Sequence, residues 1–254
     1  MRRIVAISVL LLVSAAIAIG ASLAYADDAR ELRDFATLAL GREHEQTRAG
    51  RIIKWVKPVR VGVLGERRSE VLPLVRLHVQ HLRTITGHDI RTVSDGEIDI
   101  AVIVVARLDR ANVAVHADVF RRLFRDDAAY EAYLGRIERG EFRPICLSTL
   151  RTRGPSSEIG LAVSFIPLNR GPEVVYQCVV EELAQLLGLP NDSDEVGPSI
   201  FNDRSPYIDL TERDALFLRV LYDPRIRPGM NYEELAKVFP AVLGDARRVL
   251  RRSR

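Results

Sequence analysis

The chain has 254 residues, of which 47% are hydrophobic and 28% are charged, and it contains two cysteines. This composition excludes a disordered chain, a collagen-like repeat and a small scaffold held together by many disulfides. The 37 basic and 34 acidic residues give a formal net charge of +3, and a chain of this length can bury a substantial hydrophobic core.

The first 26 residues have the composition of a targeting segment. Two arginines precede an uncharged apolar run of 23 residues that ends in Ala24-Tyr25-Ala26. This pattern predicts a signal peptide at residues 1–26, and therefore a periplasmic or secreted protein. The alternative is an uncleaved leader that anchors the protein, because the run is long enough to span a bilayer. Without the leader the net charge is +1, so nucleic-acid binding is not expected, and membrane contact is expected only through an uncleaved leader.

The remaining residues alternate strands and helices before a helical end. In chain order, the hydrophobic pattern predicts helix 27–40, strand 52–64, helix 67–86, strand 98–105, helix 115–137 with a break near 125–127, strand 159–166, helix 172–187, a polar loop 191–206, a helix from Thr211 to about Leu221, and one or two helices over 232–252. This order predicts a single α/β or α+β domain over residues 27–254, with its sheet in the first half and a helical C-terminal extension.

The two cysteines are Cys146 and Cys178. In an exported protein such a pair is expected to form one disulfide. The alternative is two buried thiols that act as small apolar residues, and the sequence leaves both open.

The most informative segment is the helix predicted before Gly188. Its residues are nearly all apolar, except for Gln177, Glu181 and Gln185, which are spaced by four residues and share one face, and Glu182 beside them. A helix that is apolar nearly all round is buried, and buried carboxylates need partners. The polar stripe is therefore expected to line a cleft. The alternative is a buried helix whose polar groups are satisfied by backbone and water.

From Glu181 to Asp192 the chain has the pattern E-E-x-x-Q-x-x-G-L-x-N-D. It resembles the zinc-peptidase helix of the metzincins, H-E-x-x-H-x-x-G-L-x-H-D. Downstream, Ser199-Ile200-Phe201 resembles the metzincin turn under the metal, with Phe201 in place of methionine. The resemblance implies an α+β metzincin-like (zincin) fold, with a small mixed sheet, backing helices, a long active-site-type helix and a helical C-terminal part.

The departures from that motif decide the expected chemistry. Carried over position by position, the zinc ligands become Glu181, Gln185 and Asn191, and Glu182 takes the general-base position. Neutral amides are weak zinc ligands, and no histidine follows His116. A zinc site of the usual hydrolytic kind is therefore not expected, and the expected cofactor is none, or at most a weakly bound divalent cation.

The chain is also similar, over most of its length after the leader, to a secreted bacterial family catalogued as domain of unknown function 2927. The shared features are the E-E-x-x-Q helix, the L-x-N-D turn, the S-I-F segment and the ending from Leu221 to Met230. Three functional hypotheses stay open. One is a catalytically degenerate binding or envelope-associated protein with a protein or peptide partner. Another is an atypical hydrolase in which Glu181 and Glu182 act as an acid/base pair, with Glu182 as general base, with or without a hard cation held by Glu181, Asn191 and Asp192. The third is a purely structural domain.

Three weaker patterns accompany these motifs. His78 and His81 share one helical face and His88 follows, which would allow a three-histidine metal site, but the edge of an amphipathic helix is the preferred interpretation. Asp192, Asp194, Gly197 and Asp203 imitate part of a calcium loop in which Val196 replaces a required oxygen ligand, so a polar turn is preferred. The arginines of residues 247–254 are interpreted as a solvated helix end.

Overall fold

The computed structural model describes residues 27–41, 50–141 and 145–252. The predicted leader, His44 and Arg254 lie outside these ranges. Within them, no helix is both long enough and apolar enough to cross a membrane.

A five-stranded mixed sheet forms the centre of this α+β protein. Its strands are β1 (Val59–Leu64), β2 (Ile90–Val93), β3 (Ile100–Val105), β4 (Leu147–Thr152) and β5 (Ile159–Pro167), and they lie in the order β2-β1-β3-β5-β4. The first four strands in this order are parallel, and β4 runs antiparallel to β5 at one edge. The strands predicted at 98–105 and 159–166 are confirmed as β3 and β5. The sequence pattern missed β2 and β4, which are the two edge strands.

Helices cover both faces of the sheet. They are α1 (residues 27–40), α2 (Arg68–Thr86), α3 (Arg110–Ala114), α4 (Ala117–Phe120), α5 (Asp127–Glu138), α6 (Pro172–Gln185), α7 (Glu212–Leu221) and α8 (Tyr232–Arg252). The helix predicted over 115–137 was wrong as one element, since α3, α4 and a short 3₁₀ turn precede α5. The predicted break near 125–127 is confirmed, because the Asp126 side chain caps α5 by accepting a hydrogen bond from the Ala129 N–H at 2.8 Å.

The sheet separates two hydrophobic clusters. Alternate residues of β3 point to opposite faces of the sheet. Ile100 and Val102 belong to the larger cluster, which also contains residues of α1, α2, α6, α7 and α8. Ala101 and Ile103 belong to the smaller cluster, which contains residues of the α3–α5 segment. A continuous β-branched run is what a strand buried on both faces requires. The larger cluster therefore contains the helix with the polar stripe.

The predicted strand over residues 52–64 begins only at Val59. The residues before it tie together the C-terminal ends of two helices. Trp55 Nε1 donates to the Leu186 carbonyl at 2.8 Å, after α6, and Lys54 Nζ donates to the Leu221 carbonyl at 2.7 Å, at the end of α7. Carbonyl groups at a helix end lack intrahelical partners, so this segment supplies them instead of extending the sheet.

The predicted disulfide is present. Cys146 lies just before β4 and is bonded to Cys178 in the middle of α6, with a Cα–Cα distance of 5.8 Å. Covalent attachment therefore holds the antiparallel edge strand against the helix that carries the polar stripe.

Candidate functional site

Helix α6 carries most of the residues singled out in the sequence. It starts with Pro172 at its first turn and is buried along Val175, Val179 and Leu183. The chain turns at Gly188, which has φ +120° and lies so close to Ile53 that a Cβ atom would come within 2.2 Å of the Ile53 carbonyl oxygen. Only glycine fits such a position. The turn directs the following polar loop back toward the end of α6.

The residues of the polar stripe of α6 are buried to different extents. Gln177 and Glu181 are half-buried, whereas Glu182 and Gln185 are buried, at 7% and 5% exposure. The Gln185 amide contacts both neighbouring segments: its Nε2 donates to Asp192 Oδ1 at 2.7 Å, and its Oε1 accepts a long hydrogen bond from the Ser148 hydroxyl of β4 at 3.5 Å. Gln185 thus links the edge strand to the polar loop.

The Asn191 side chain, which the metzincin resemblance would make the third ligand position, is directed toward α1. Its Nδ2 donates to the Thr37 carbonyl oxygen at 2.9 Å. It packs so close to Gly41 that a Cβ atom at Gly41 would overlap the amide. The structure therefore brings Gln185 next to Asp192 and uses the Asn191 side chain to hold the C-terminal end of α1.

Three carboxylates converge beside α6. Carboxylate oxygens of Glu181, Asp192 and Asp203 all lie within 4.8 Å of one another. We call these three residues the acidic group. Within the described ranges, no other set of three histidine, cysteine, aspartate or glutamate side chains comes as close together. Oxygen donors of this kind suit hard cations such as Ca²⁺ and Mg²⁺ better than zinc. The sequence pointed to Glu181 and Asp192, but it assigned Asp203 only to a calcium-like pattern in the loop.

The turn Ser199-Ile200-Phe201 lies in the buried interior and is anchored by Asp214 of α7. Asp214 Oδ1 accepts a hydrogen bond from the Ser199 hydroxyl at 2.6 Å, and Oδ2 accepts one from the Ile200 N–H at 3.0 Å. Oδ2 also accepts hydrogen bonds from the Thr211 N–H and hydroxyl, which completes a capping box at the start of α7. Burial raises the pKa of the Asp214 carboxyl above its usual value, against the opposing effect of these hydrogen bonds.

The sequence indicated only part of this role. The pattern gave Thr211 as an N-cap with Asp214 three residues later, which is confirmed. It contained no sign that the same carboxylate also holds the Ser199-Ile200-Phe201 turn. Thr211 and Asp214 are local partners, whereas Ser199 reaches Asp214 only through the fold.

A comparison with family models identifies the chain. A model described as "Protein of unknown function (DUF2927)" matches residues 28–241. The chain belongs to this family. No curated protein matches it. The matched region of this DUF2927 protein contains nearly all of α1, all of α2 to α7, about the first half of α8, the acidic group and the Asp214 anchor.

The histidines that the sequence grouped together have separate surroundings in this DUF2927 chain. His78 is buried between α2 and α6, and its ring centroid lies 6.2 Å from that of the exposed His81. His88 Nε2 is within hydrogen-bond distance, 2.9 Å, of the Lys57 carbonyl oxygen. The pKa of His78 is lowered to about 4, mainly by burial and secondarily by the nearby His81, while Asp209 and the Val180 backbone act in the opposite direction. His78 is thus a neutral core residue at neutral pH.

The burial of His78 predicts that the folded protein loses stability in acid over a defined pH range. Since the pKa of His78 is about 4 in the folded protein and 6.5 ordinarily, the unfolded chain binds the proton more readily between these values. The stability that depends on neutral His78 is complete above pH 6.5 and is lost as the pH falls toward 4. We expect this loss to be about 3 kcal/mol.

Urea unfolding at a series of pH values between 4 and 7 measures this effect. The His78→Phe variant, which cannot titrate, should lose roughly 3 kcal/mol less than the wild type over that range. The His81→Gln variant, altered one turn further on the same helix, should keep most of the wild-type acid sensitivity. Equal pH dependence in the wild type and in His78→Phe would contradict the assignment.

Proposed function

We propose that this DUF2927 protein is an exported metzincin-like domain that has exchanged its zinc ligands and binds a protein or peptide partner in the cell envelope. Export is supported by the apolar leader with its Ala24-Tyr25-Ala26 ending and by the disulfide, since disulfides persist in oxidising compartments. The metzincin-like part is supported by the mixed sheet, the buried helix α6, the turn at Gly188 and the anchored Ser199-Ile200-Phe201 turn.

One observation carries the proposed loss of zinc chemistry. At the positions equivalent to the metzincin ligands, the Gln185 amide is hydrogen-bonded to Asp192 and the Asn191 amide to Thr37. Both side chains therefore contribute hydrogen bonds that hold the fold around α6. An amide used in this way is a poor substitute for an imidazole ligand.

Elemental analysis tests this proposal. We expect the purified mature protein, after exposure to excess zinc and desalting, to retain far less than one zinc ion per chain. The Gln185→Ala variant should not differ from the wild type in this respect. The matched control is Gln177→Ala, two turns earlier on the same helical face. Stoichiometric zinc that is lost in Gln185→Ala but kept in Gln177→Ala would overturn the proposal.

The acidic group favours one second candidate, an atypical hydrolase. Three carboxylates from α6 and the polar loop offer oxygen ligands for a hard cation, and the buried Glu182 follows Glu181 directly in α6. In this candidate Glu182 acts as the general base.

A peptide-hydrolysis screen with added Ca²⁺ or Mg²⁺ separates the two candidates. The binding proposal expects no turnover in wild-type protein. The hydrolase candidate expects turnover that drops by roughly 100-fold or more in Glu182→Gln and is unchanged in Glu173→Gln, an exposed acid in the first turn of the same helix. Turnover that both variants retain would exclude Glu182 as the base.

A further inference from the structure

A second polar pocket lies beside the Pro228-Gly229-Met230 ending, a motif that the proposed function leaves unused. Its volume is about 390 Å³. The lining residues come from three segments of the chain and from the start of α8: Arg51, Pro155, Ser156, Ser157, Arg227, Pro228, Gly229, Met230 and Glu234. We call this the Arg51–Arg227 pocket.

Backbone hydrogen bonds fix the walls of this pocket. The Gly229 N–H donates to the Ile52 carbonyl and the Ile52 N–H donates to the Met230 carbonyl, each at 2.8 Å. On the other side, the Arg153 N–H donates to the Glu158 carbonyl at 2.7 Å and closes the loop that contains Ser157. The pocket is therefore built before any ligand arrives, which reduces the entropy lost on binding.

The pocket has an excess of positive charge. Arg51 Nη1 donates to the Gly229 carbonyl at 2.7 Å, and neither Arg51 nor Arg227 forms an ion pair with another residue in the described ranges. Glu234 is the acid in the lining, and its Oε2 accepts the Asn231 N–H at 3.0 Å as part of the N-terminal cap of α8. The lining thus contains two arginines and one carboxylate that already has a structural partner.

Ser157 is the most unusual residue in the lining. It has φ +59°, the one non-glycine residue with positive φ in the described part of the chain, and it is only 4% exposed. Its hydroxyl lies toward Gly229, 3.8 Å from where a Cβ atom of that residue would be, whereas the hydroxyl of the neighbouring Ser156 donates to the Arg153 carbonyl at 2.8 Å. Residues held in the left-handed region concentrate at ligand sites, and Ser157 is in the lining of this pocket.

We propose that the Arg51–Arg227 pocket binds a phosphate group. Arginine forks match the oxygens of phosphate through paired, charge-assisted hydrogen bonds, and the Ser157 hydroxyl supplies a further donor from the wall. The pocket is larger than a bare phosphate ion needs, so the fitting ligand is a phosphate ester with a small organic group attached. Two sources carry this chemistry in a cell envelope, a soluble phosphate ester and a phospholipid headgroup. This inference is independent of the proposed function of the α6 site.

Isothermal titration calorimetry with inorganic phosphate and glycerol 3-phosphate tests the soluble source. Co-sedimentation with phosphatidylglycerol vesicles, against phosphatidylcholine vesicles, tests the lipid source. We expect at least one of these phosphate probes to bind, and acetate to bind much more weakly. Absence of binding to all of them, or acetate binding as tight as phosphate, would overturn the proposal.

Variants assign the binding to this pocket. Arg51→Gln and Arg227→Gln should each weaken phosphate binding roughly ten-fold or more, the usual effect of losing a charge-assisted hydrogen bond. Arg251→Gln is the control, because this exposed arginine lies at the opposite end of α8 from Glu234, about 25 Å away along the helix. Equal affinity in the wild type and in both pocket variants would overturn the assignment.

The Ser157→Gly variant separates binding from folding. Glycine removes the hydroxyl but tolerates the left-handed backbone, so thermal stability should be equal to or above that of the wild type. Phosphate affinity should nevertheless fall by several-fold. Wild-type affinity in this stable variant would overturn Ser157 as a ligand-binding residue.

Discussion

We expect the Asp214→Ala variant to lose about 4 kcal/mol of unfolding free energy, as is typical when a buried charged hydrogen-bond network is broken. Asp214 is fully buried and accepts hydrogen bonds from Ser199, Ile200 and Thr211. Its removal leaves the buried Ser199 and Ile200 donors without this acceptor, which adds to the loss. It also frees the Ser199-Ile200-Phe201 turn from α7.

Urea denaturation followed by circular dichroism measures this change. The matched control is Glu233→Ala, which removes an exposed acid from the first turn of α8 and should change stability by less than about 0.5 kcal/mol. Asp214→Asn should fall between the two, because an amide keeps one acceptor oxygen but turns its NH₂ group toward N–H and O–H donors. A loss below roughly 1 kcal/mol in Asp214→Ala would contradict the anchoring role.

The second large effect concerns the Cys146–Cys178 bond. The cysteines are 32 residues apart in the chain, so a loop-entropy argument gives a loss of about 3 to 4 kcal/mol for the Cys146→Ser/Cys178→Ser double variant. The effect should be concentrated at the edge of the sheet. β4 pairs only with β5, and the disulfide is its covalent link to α6.

Hydrogen exchange locates this effect. In the double variant, amides of β4 should exchange faster relative to those of β3, which has a neighbour on each side. The single variant Cys146→Ser should behave like the double variant if the bond, and not either thiol, stabilises the edge. Equal protection of β4 in wild-type and double-variant protein would show that packing alone holds this strand.

The sequence predicted those elements whose signal is local. β3 is a near-continuous β-branched run, β5 has an alternating pattern with β-branched residues, and α6 has an apolar pattern with a glycine stop. The edge strands were missed because each has one strand neighbour and tolerates polar residues, as in Arg91 of β2 and Arg151 of β4. Residues 52–55 were misassigned because their apolar side chains bury against helix ends.

For the candidate site too, the sequence identified residues that lie on one element and missed those that a loop brings to it. Glu181 and Gln185 were recognised because helical spacing places them on one face. Asp203, which completes the acidic group, and Ser199, which binds Asp214, reach their partners only through the path of the polar loop. Periodicity reports which residues of one element share a face, but it holds no information on which loop residue returns to that face.

The contact between α1 and α8, the first and last described helices, affects the order in which the chain can fold. The Phe35 ring of α1 lies 5.6 Å from Phe217 of α7 and 5.4 Å from Phe239 of α8, and Arg247 binds Asp28 at 2.7 Å. During synthesis α1 emerges before α7 and α8, so its apolar face lacks their cover until both helices have been made. Contacts between such distant residues form late. A premature stop before α8 removes the Phe239 ring from Phe35 and Arg247 from Asp28, and the apolar surface of α1 that this uncovers is a target for chaperones and proteases.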